Sequence, residues 1–380
     1  MGLGLKDEHL LIQSMVREFA EKEVAPLAEV IDRDKLFPEE IMRKMADLEL
    51  TGIITPTEYG GAGSDFLSYI LVMEELAYAC RSTSNVLGTH TQPQEVLLAF
   101  GTEEQKAEYL PKLAKLERIG GFAITEAGAG SDAGAVATTA EPDGDYYVLN
   151  GSKSFISSAD KGDLFIVIAR TGPGERSKGL SAFIVDRTVS DFENGEPEEK
   201  MGFRGSTTCE VTFRNCRVPK KNLVGKIGEG FKIAMTTLNA GRVVIAAEAL
   251  GLMRACLDES VSYAKQRHQF GRPLASNQAI RWMIADMQKD IVVARALIYN
   301  AAIMKDNGQP IILESACAKL FSSEAVMQHA IKAVQIHGGY GYVKGAKVEM
   351  MMRDAKLFEI FEGTSEVQRM VISGAAIEGK

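Results

Sequence analysis

The sequence predicts an α+β protein of several domains, helical at both ends with a β unit held between them. Three observations carry that expectation. Apolar residues recur at helical spacing from residue 6 to about 118, aromatic and β-branched runs take over from 119 to 222, and long apolar segments return after Gly230. The expected domains are therefore 1–118 (helical), 119–222 (β) and 223–380 (helical bundle). A chain of 380 residues allows two or three such units and needs no staples to bury its core.

In the first unit the helical pattern is clear at Leu10, Leu11, Met15, Val16 and Phe19. Pro38, Thr55-Pro56, Gly60-Gly61 and Gly101 cut it into short helices. Residues 103–113 read as a charged surface helix interrupted by Pro111. In the second unit, 145–150, 163–169 and 180–185 read as strands, and Asp143-Gly144 suits a hairpin turn. In the third, helices are expected over 241–266, from near Asn277 past Tyr299, and over 312–337. Helices this long and apolar normally pack as a bundle.

Composition narrows the function classes. Hydrophobic residues make up 46% and charged residues 25%, the balance of a soluble globular protein. A formal charge of −8, from 43 basic and 51 acidic residues, argues against nucleic-acid binding. The five cysteines show no CxxC spacing, so buried thiols are expected, with neither a disulfide framework nor a metal site. Met1–Glu23 has no uninterrupted apolar stretch, which speaks against a signal peptide or membrane span and for a cytoplasmic protein.

The usual nucleotide signatures are missing: neither GxxxxGK[ST] nor a GxGxxG opening a βαβ unit occurs, and Gly225–Gly230 reads as a loop before a helix. Four other segments stand out. Phe122–Asp132, FAITEAGAGSD, runs a strand into a glycine-rich turn whose N–H groups and hydroxyls suit a phosphate or a heteroaromatic edge, though alone it reads as a surface turn. Lys265–Gly271 with Asn277-Gln278 offers Arg267 as a pyrophosphate clamp, or simply as a solvated cation. Gln335–Tyr342 sets Gly338-Gly339 after a long helix, for close ligand approach or for a plain cap, with His337 a structural or surface residue and not a metal ligand, since no second ligand sits at i+4. Phe358–Glu366 places Glu362 just ahead of a helix that Ser365 and Gln368 would cap. That carboxylate either favours the helix dipole or, desolvated by Ile360 and Phe361, acts as a base.

In this order and spacing the four segments resemble the acyl-CoA dehydrogenase family. PTEYGGAG (56–63), GTEEQKAEYLP (101–111), LNGSKSFIS (149–157), GFRGS (202–206), GEGFKIAM (228–235), MMRDAK (351–356) and EGTSEVQRM (362–370) extend the similarity over essentially the whole chain. The nearest likeness is to bacterial short-chain, butyryl-CoA-type enzymes. The resemblance implies an N-terminal helical domain, a β-barrel-like middle domain and a C-terminal four-helix bundle, with FAD between the last two. It implies a homotetramer, an acyl-CoA substrate and an electron-transferring flavoprotein as partner.

By the same resemblance Glu362 is the catalytic base. Its backbone N–H and the flavin's ribityl hydroxyl would hold the thioester oxygen, and the β-hydride would pass to flavin N5. Thr125 and Ser157 match hydroxyls on the isoalloxazine, with Phe155 as an aromatic wall; Phe122, Ile124, Gly130, Ser131 and Ile156 join them on FAD. Thr364 and Glu366 also match FAD positions, while Arg267, Gln269, Phe270, Gln278, Gln335, Ile336, Gly338 and Gly339 match positions reaching a neighbouring subunit's FAD. Arg242, Phe231, Asn239, Gly363 and again Ser131 match substrate positions. Some relatives carry the base beside that arginine, where this chain has Gly241.

The match loosens at Gly88–Glu95, GTHTQPQE, where two glutamines and a displaced proline fall near the acyl end. A short, branched or cyclic acyl chain is expected, and Ser84 in place of an arginine argues against a dicarboxylic one. Three other readings use the same fold: an enoyl-CoA reductase running the reaction backwards, an oxidase using oxygen directly, and a DNA-associated member without dehydrogenase activity.

Overall fold

The structure, a computed structural model, describes residues 4–172 and 176–378. The N-terminal unit comprises α1 (Asp7–Phe19), α2 (Ala28–Asp34), α3 (Glu39–Asp47), α4 (Phe66–Ala79), α5 (Arg81–Phe100) and α6 (Glu103–Ala114). α4 is apolar around most of its circumference and accordingly buried, capped by the Asp65 side chain accepting from the Ser68 N–H. Thr102 and Gln105 form the capping box that starts α6. Pro111 does not interrupt α6 as expected. The helix runs through it to Ala114 and is no mere surface element, because Tyr109, Leu110 and Leu113 bury one side in the core under the β unit. That burial offsets the one backbone hydrogen bond a proline forfeits.

The middle unit is one sheet in the order β6-β7-β3-β2-β4-β5-β8, with β1 (Gly120–Ala123) parallel beside β4. The strands are β2 (Thr139–Asp143), β3 (Tyr146–Ser157), β4 (Leu164–Arg170), β5 (Leu180–Asp186), β6 (Glu193–Asn194), β7 (Thr208–Pro219) and β8 (Leu223–Val224). The three expected strands are β3, β4 and β5, and the β2–β3 hairpin turns at Gly144, φ +56°. β7 is a twelve-residue strand that the sequence reading passed over. It buries Cys209, Val211 and Phe213 on one face, while Glu210 and Arg214 on the other dilute its apolar signal.

The C-terminal unit packs α7 (Gly230–Gln266), α8 (Gln278–Asp306) and α9 (Ile312–His337) with α10 (Lys347–Leu357) and α11 (Ser365–Glu378). α7 begins at Gly230, well before residue 241, and its first turns lie against β4 and β5. From Ala240 to Met253 every residue of α7 is buried, so while the helix as a whole touches all three units this stretch is fixed in the core. Cys80, Cys209, Cys216 and Cys256 are buried free thiols, and Cys317 is half-buried.

Candidate active site

α10 ends at Leu357, and the chain turns through Phe358 and Phe361, whose rings pack edge-on against Phe203. This aromatic cluster holds Glu362 in the left-handed backbone region, φ +53°, followed by Gly363 at +91°. The expected cap of α11 differs in detail. The Thr364 hydroxyl, not that of Ser365, accepts from the Val367 N–H, and Gln368 turns back to donate to the Gly363 carbonyl at 2.8 Å. Ser365 is already the first helical residue, so its hydroxyl is one position too late for an N-cap.

The Glu362 carboxylate points at α5 and α7. Oε1 accepts from Gln92 Nε2 at 2.8 Å, whereas Oε2 is buried with no hydrogen-bond partner. Burial raises its pKa above the ordinary carboxylate range, against the opposing influence of Gln92, Arg242 and Lys319. Arg242 is buried on α7 and donates to Asn239 Oδ1 at 2.7 Å. Lys319, wholly buried on α9, donates to the Gly363 carbonyl at 2.7 Å, and burial lowers its own pKa to about 8. Between Gln92 and Arg242 sits Gly241, which leaves the carboxylate its room.

Glu362 opens on a cavity lined by Gln92, Gly88, Thr89 and Glu95 of α5, Gly241, Val244, Ile245 and Glu248 of α7, and Tyr69 of α4. About 20 Å³ of it is open to the centre of a water molecule. His90 pins this part of α5 to β1: its Nδ1 accepts from the Gly120 N–H at 3.1 Å, leaving Nε2–H to donate to the Leu113 carbonyl at 3.0 Å. The two glutamines near the acyl end part company. Gln92 reaches Glu362, whereas Gln94 clamps Thr55 and Thr51 in the N-terminal unit.

The β-unit residues gather at one strand end. Lys153 and Glu126 form a buried pair at 2.8 Å, and Lys153 also holds the Ile124 carbonyl, while the Ser154 N–H donates to the Thr125 carbonyl. A register shift between Lys153 and Ile156 throws Phe155 outward at φ +58°, 67% exposed. Thr125 and Ser157 are half-buried near it, Phe122 and Ile124 back the patch, and Ser131 is exposed. Ile156 faces the core. Side chains built on Gly128 and Gly130 would meet nothing, so the turn is open. On α7, Phe231, Asn239 and Arg242 share one broad face.

The remaining residues lie elsewhere. Arg267 ends α7, about 37 Å along the axis from Arg242 at a rise of about 1.5 Å per residue. It sits over the Tyr340 ring; Gln269 and Phe270 occupy the adjoining exposed hairpin, and Gln278 opens α8. Gln335, Gly338 and Gly339 are exposed at the end of α9, but the Ile336 side chain is buried in the bundle. His337 stacks on Tyr263 and serves the packing. Thr364 and Glu366 stand at the start of α11, beside Glu362.

Sequence reasoning did not single out Lys319, Glu248 or Tyr69. The signal for the first two was a lone charge inside an apolar helical run, ACAKLF and VIAAEALG.

Comparison with known proteins returns three family models: acyl-CoA dehydrogenase N-terminal domain over residues 6–117, middle domain over 121–216 and C-terminal domain over 228–377. The chain is 48% identical to a short-chain specific acyl-CoA dehydrogenase of Clostridium acetobutylicum, covering 98% of this chain and 99% of that protein. It is 45% identical to an acryloyl-CoA reductase (NADH) of Anaerotignum propionicum, covering 98% and 95%. Among solved structures, butyryl-CoA dehydrogenase from Megasphaera elsdenii superposes with a TM-score of 0.96 at 40% identity, covering 98% of this chain and 99% of that one. A chain in the structure described as the electron transferring flavoprotein of Acidaminococcus fermentans gives 0.97 at 43% identity, covering 99% and 100%.

Proposed function

This chain belongs to the acyl-CoA dehydrogenase family, and we propose that it takes two hydrogens from a short, branched or cyclic acyl-CoA, leaving the 2-enoyl-CoA. The observation that carries this reading is the Glu362 carboxylate: raised in pKa by burial, tethered through Oε1 alone, with Oε2 free of partners. A thioester α-proton is weakly acidic, and a desolvated carboxylate is a stronger base than one in water. Glu362 accepts that proton, Arg242 and Lys319 stabilise the ionised form, and Gln92 fixes the carboxylate's direction. The backbone N–H of Glu362 is the donor assigned to the thioester oxygen.

The strand-end patch suits an isoalloxazine: the outward Phe155 ring provides a wall, Thr125 and Ser157 provide hydroxyls, and the open turn at Gly128–Ser131 suits a phosphate. FAD bound there would supply the acceptor for the β-hydrogen as hydride. The second group, from Arg267 to Gly339, is too far along α7 to serve the same ligand within one subunit, which supports a homo-oligomer whose copies complete each other's sites. Phe270, 97% exposed, and Tyr342, 84% exposed, are apolar surface that a second copy would cover. A homotetramer is the assembly proposed. The likeness to the Acidaminococcus chain supports an electron-transferring flavoprotein as the redox partner. Among the described residues no helix is long and apolar enough to cross a membrane, and a cytoplasmic location is proposed. The 45% identity to a reductase supports a second reading, the same chemistry run backwards with Glu362 as acid.

The test is anaerobic mixing of the FAD-loaded protein with a panel of acyl-CoA thioesters. Loss of the flavin absorbance band is expected with a short acyl-CoA. If none bleaches it, but reduced protein is reoxidised by enoyl-CoA, the reductase reading replaces this one.

A further inference from the structure

Beside Glu362 stand two further carboxyl groups, Glu248 wholly buried and Glu95 half-buried, that the proposed dehydrogenation does not use. Glu248 lies on α7, seven residues beyond Gly241 and on the same face. It is wholly buried, and neither of its carboxyl oxygens has a hydrogen-bond partner. Glu95 comes from α5 to line the same cavity, and its Oε1 is likewise buried and unpartnered. Opposite Glu248, α5 presents Gly88, where an added Cβ would stand 3.5 Å from Glu248 Oε1, and Ser84, whose hydroxyl draws the Glu248 pKa down but is spent donating to the Arg81 carbonyl at 3.0 Å. Three orphan carboxyl oxygens thus face one small space next to the reacting carboxylate.

An unpartnered buried carboxyl is costly, and here burial pushes Glu95 up to about 7 and Glu248 well above its ordinary range. The other polar groups lining the cavity, Tyr69, Asn85, Thr89 and Gln92, carry no positive charge. Lys305 acts on Glu95 only from a distance, Arg242 and Lys319 act through their charge on Glu362, and neither is in the cavity lining. Among the described residues the walls therefore supply carboxyl oxygens whose charge burial disfavours, and no cation that would favour it.

We infer that the acyl chain taken by this cavity ends in an ammonium group, held by Glu95 and Glu248; the inference rests on the acyl-CoA dehydrogenase reading above. An ammonium brings three N–H donors to the orphan oxygens and one positive charge that favours ionisation of a carboxyl facing it. A plain hydrocarbon end leaves them unpaired, and a carboxylate end brings no N–H donor and no positive charge. Seven helical residues separate Gly241 from Glu248 by about 10 Å at a rise of about 1.5 Å per residue. Allowing about 3 Å of contact at each end, the nitrogen falls roughly four bonds beyond the α-carbon. That is the length of a 5-aminopentanoyl chain.

The test compares 5-aminopentanoyl-CoA, made fresh and assayed at pH 7, with its neutral isostere hexanoyl-CoA and with butyryl-CoA on the FAD-loaded protein. Bleaching of the flavin is followed anaerobically. The expected result is a kcat/KM at least tenfold higher for the ammonium substrate than for hexanoyl-CoA, carried by KM. In Glu248→Gln and Glu95→Gln that ratio should fall to one or below, while flavin content and thermal midpoint report whether each variant is folded. A wild-type preference for hexanoyl-CoA, or a ratio that neither variant changes, overturns the inference while leaving the dehydrogenase reading intact. Failure of all three thioesters while a branched or cyclic acyl-CoA bleaches the flavin also overturns the inference, and failure of every acyl-CoA in the panel sinks the dehydrogenase reading itself.

Discussion

A side chain at Gly241 and the carboxylate of Glu362 cannot occupy the site together: a Cβ on Gly241 would stand 2.9 Å from Glu362 Oε2. The α7 backbone thus forms one wall of the base's pocket. Gly241→Ala should fold, because the helix itself prefers alanine, yet push the carboxylate aside. A misplacement on the order of 1 Å can cost about 10²-fold in rate. Steady-state turnover should drop by roughly that factor with the melting temperature unchanged or higher; wild-type turnover would mean that the carboxylate has other room.

Glu362→Gln keeps the shape and the Gln92 contact but removes the base. Turnover should fall by about 10²–10⁴, while acyl-CoA binding, measured by calorimetry, persists. If the variant turns over normally, the proton goes elsewhere.

Lys319 lowers the pKa of Glu362 by its charge, against the larger effect of burial. Only ionised Glu362 accepts a proton, so kcat/KM should rise with pH through its raised pKa and then level. In Lys319→Met the opposing charge is gone, and this acid limb should move to higher pH. A limb that stays in place in the pH profile would show that Lys319 acts only through the Gly363 carbonyl.

His90 is buried and neutral, its pKa lowered from 6.5 to about 4 by desolvation. Below pH 6.5 the unfolded chain therefore binds a proton that the folded one refuses until about 4. Stability should fall as pH drops through that window, by about 3 kcal/mol at its foot. His329, also lowered to about 4, adds in the same direction. Denaturation midpoints should decline less steeply between pH 6.5 and 4 in His90→Gln; an equal slope would assign the acid sensitivity to other groups.

Phe270 stands almost wholly exposed on a hairpin beside Arg267. Phe270→Ser should weaken self-association and lower FAD retention together, read by light scattering and by flavin absorbance after gel filtration. A variant that keeps its mass and its flavin would place the subunit contact elsewhere.

Periodicity was enough for the order of the three units and for α9 from Ile312 to His337, and the Asp143-Gly144 pair for the β2–β3 turn, because each is encoded in a local repeat or a glycine. β7 and the full length of α7 were harder to read. Their buried faces are completed by segments far away in the chain, so charged outward residues and an early glycine masked the pattern. Motif order pointed to Glu362 and to the strand-end patch, each a short run carrying its own chemistry.

What only the folded chain decided was the company those residues keep. Gln92, Gly241, Lys319 and Gly363 come from four separate segments, and it is packing that puts an amide, a bare backbone and a buried ammonium around one carboxylate. Burial is likewise a property of the whole fold. Glu95 and Glu248 are ordinary letters in the sequence, and they become unpaired acids only when α4, α5 and α7 close over them.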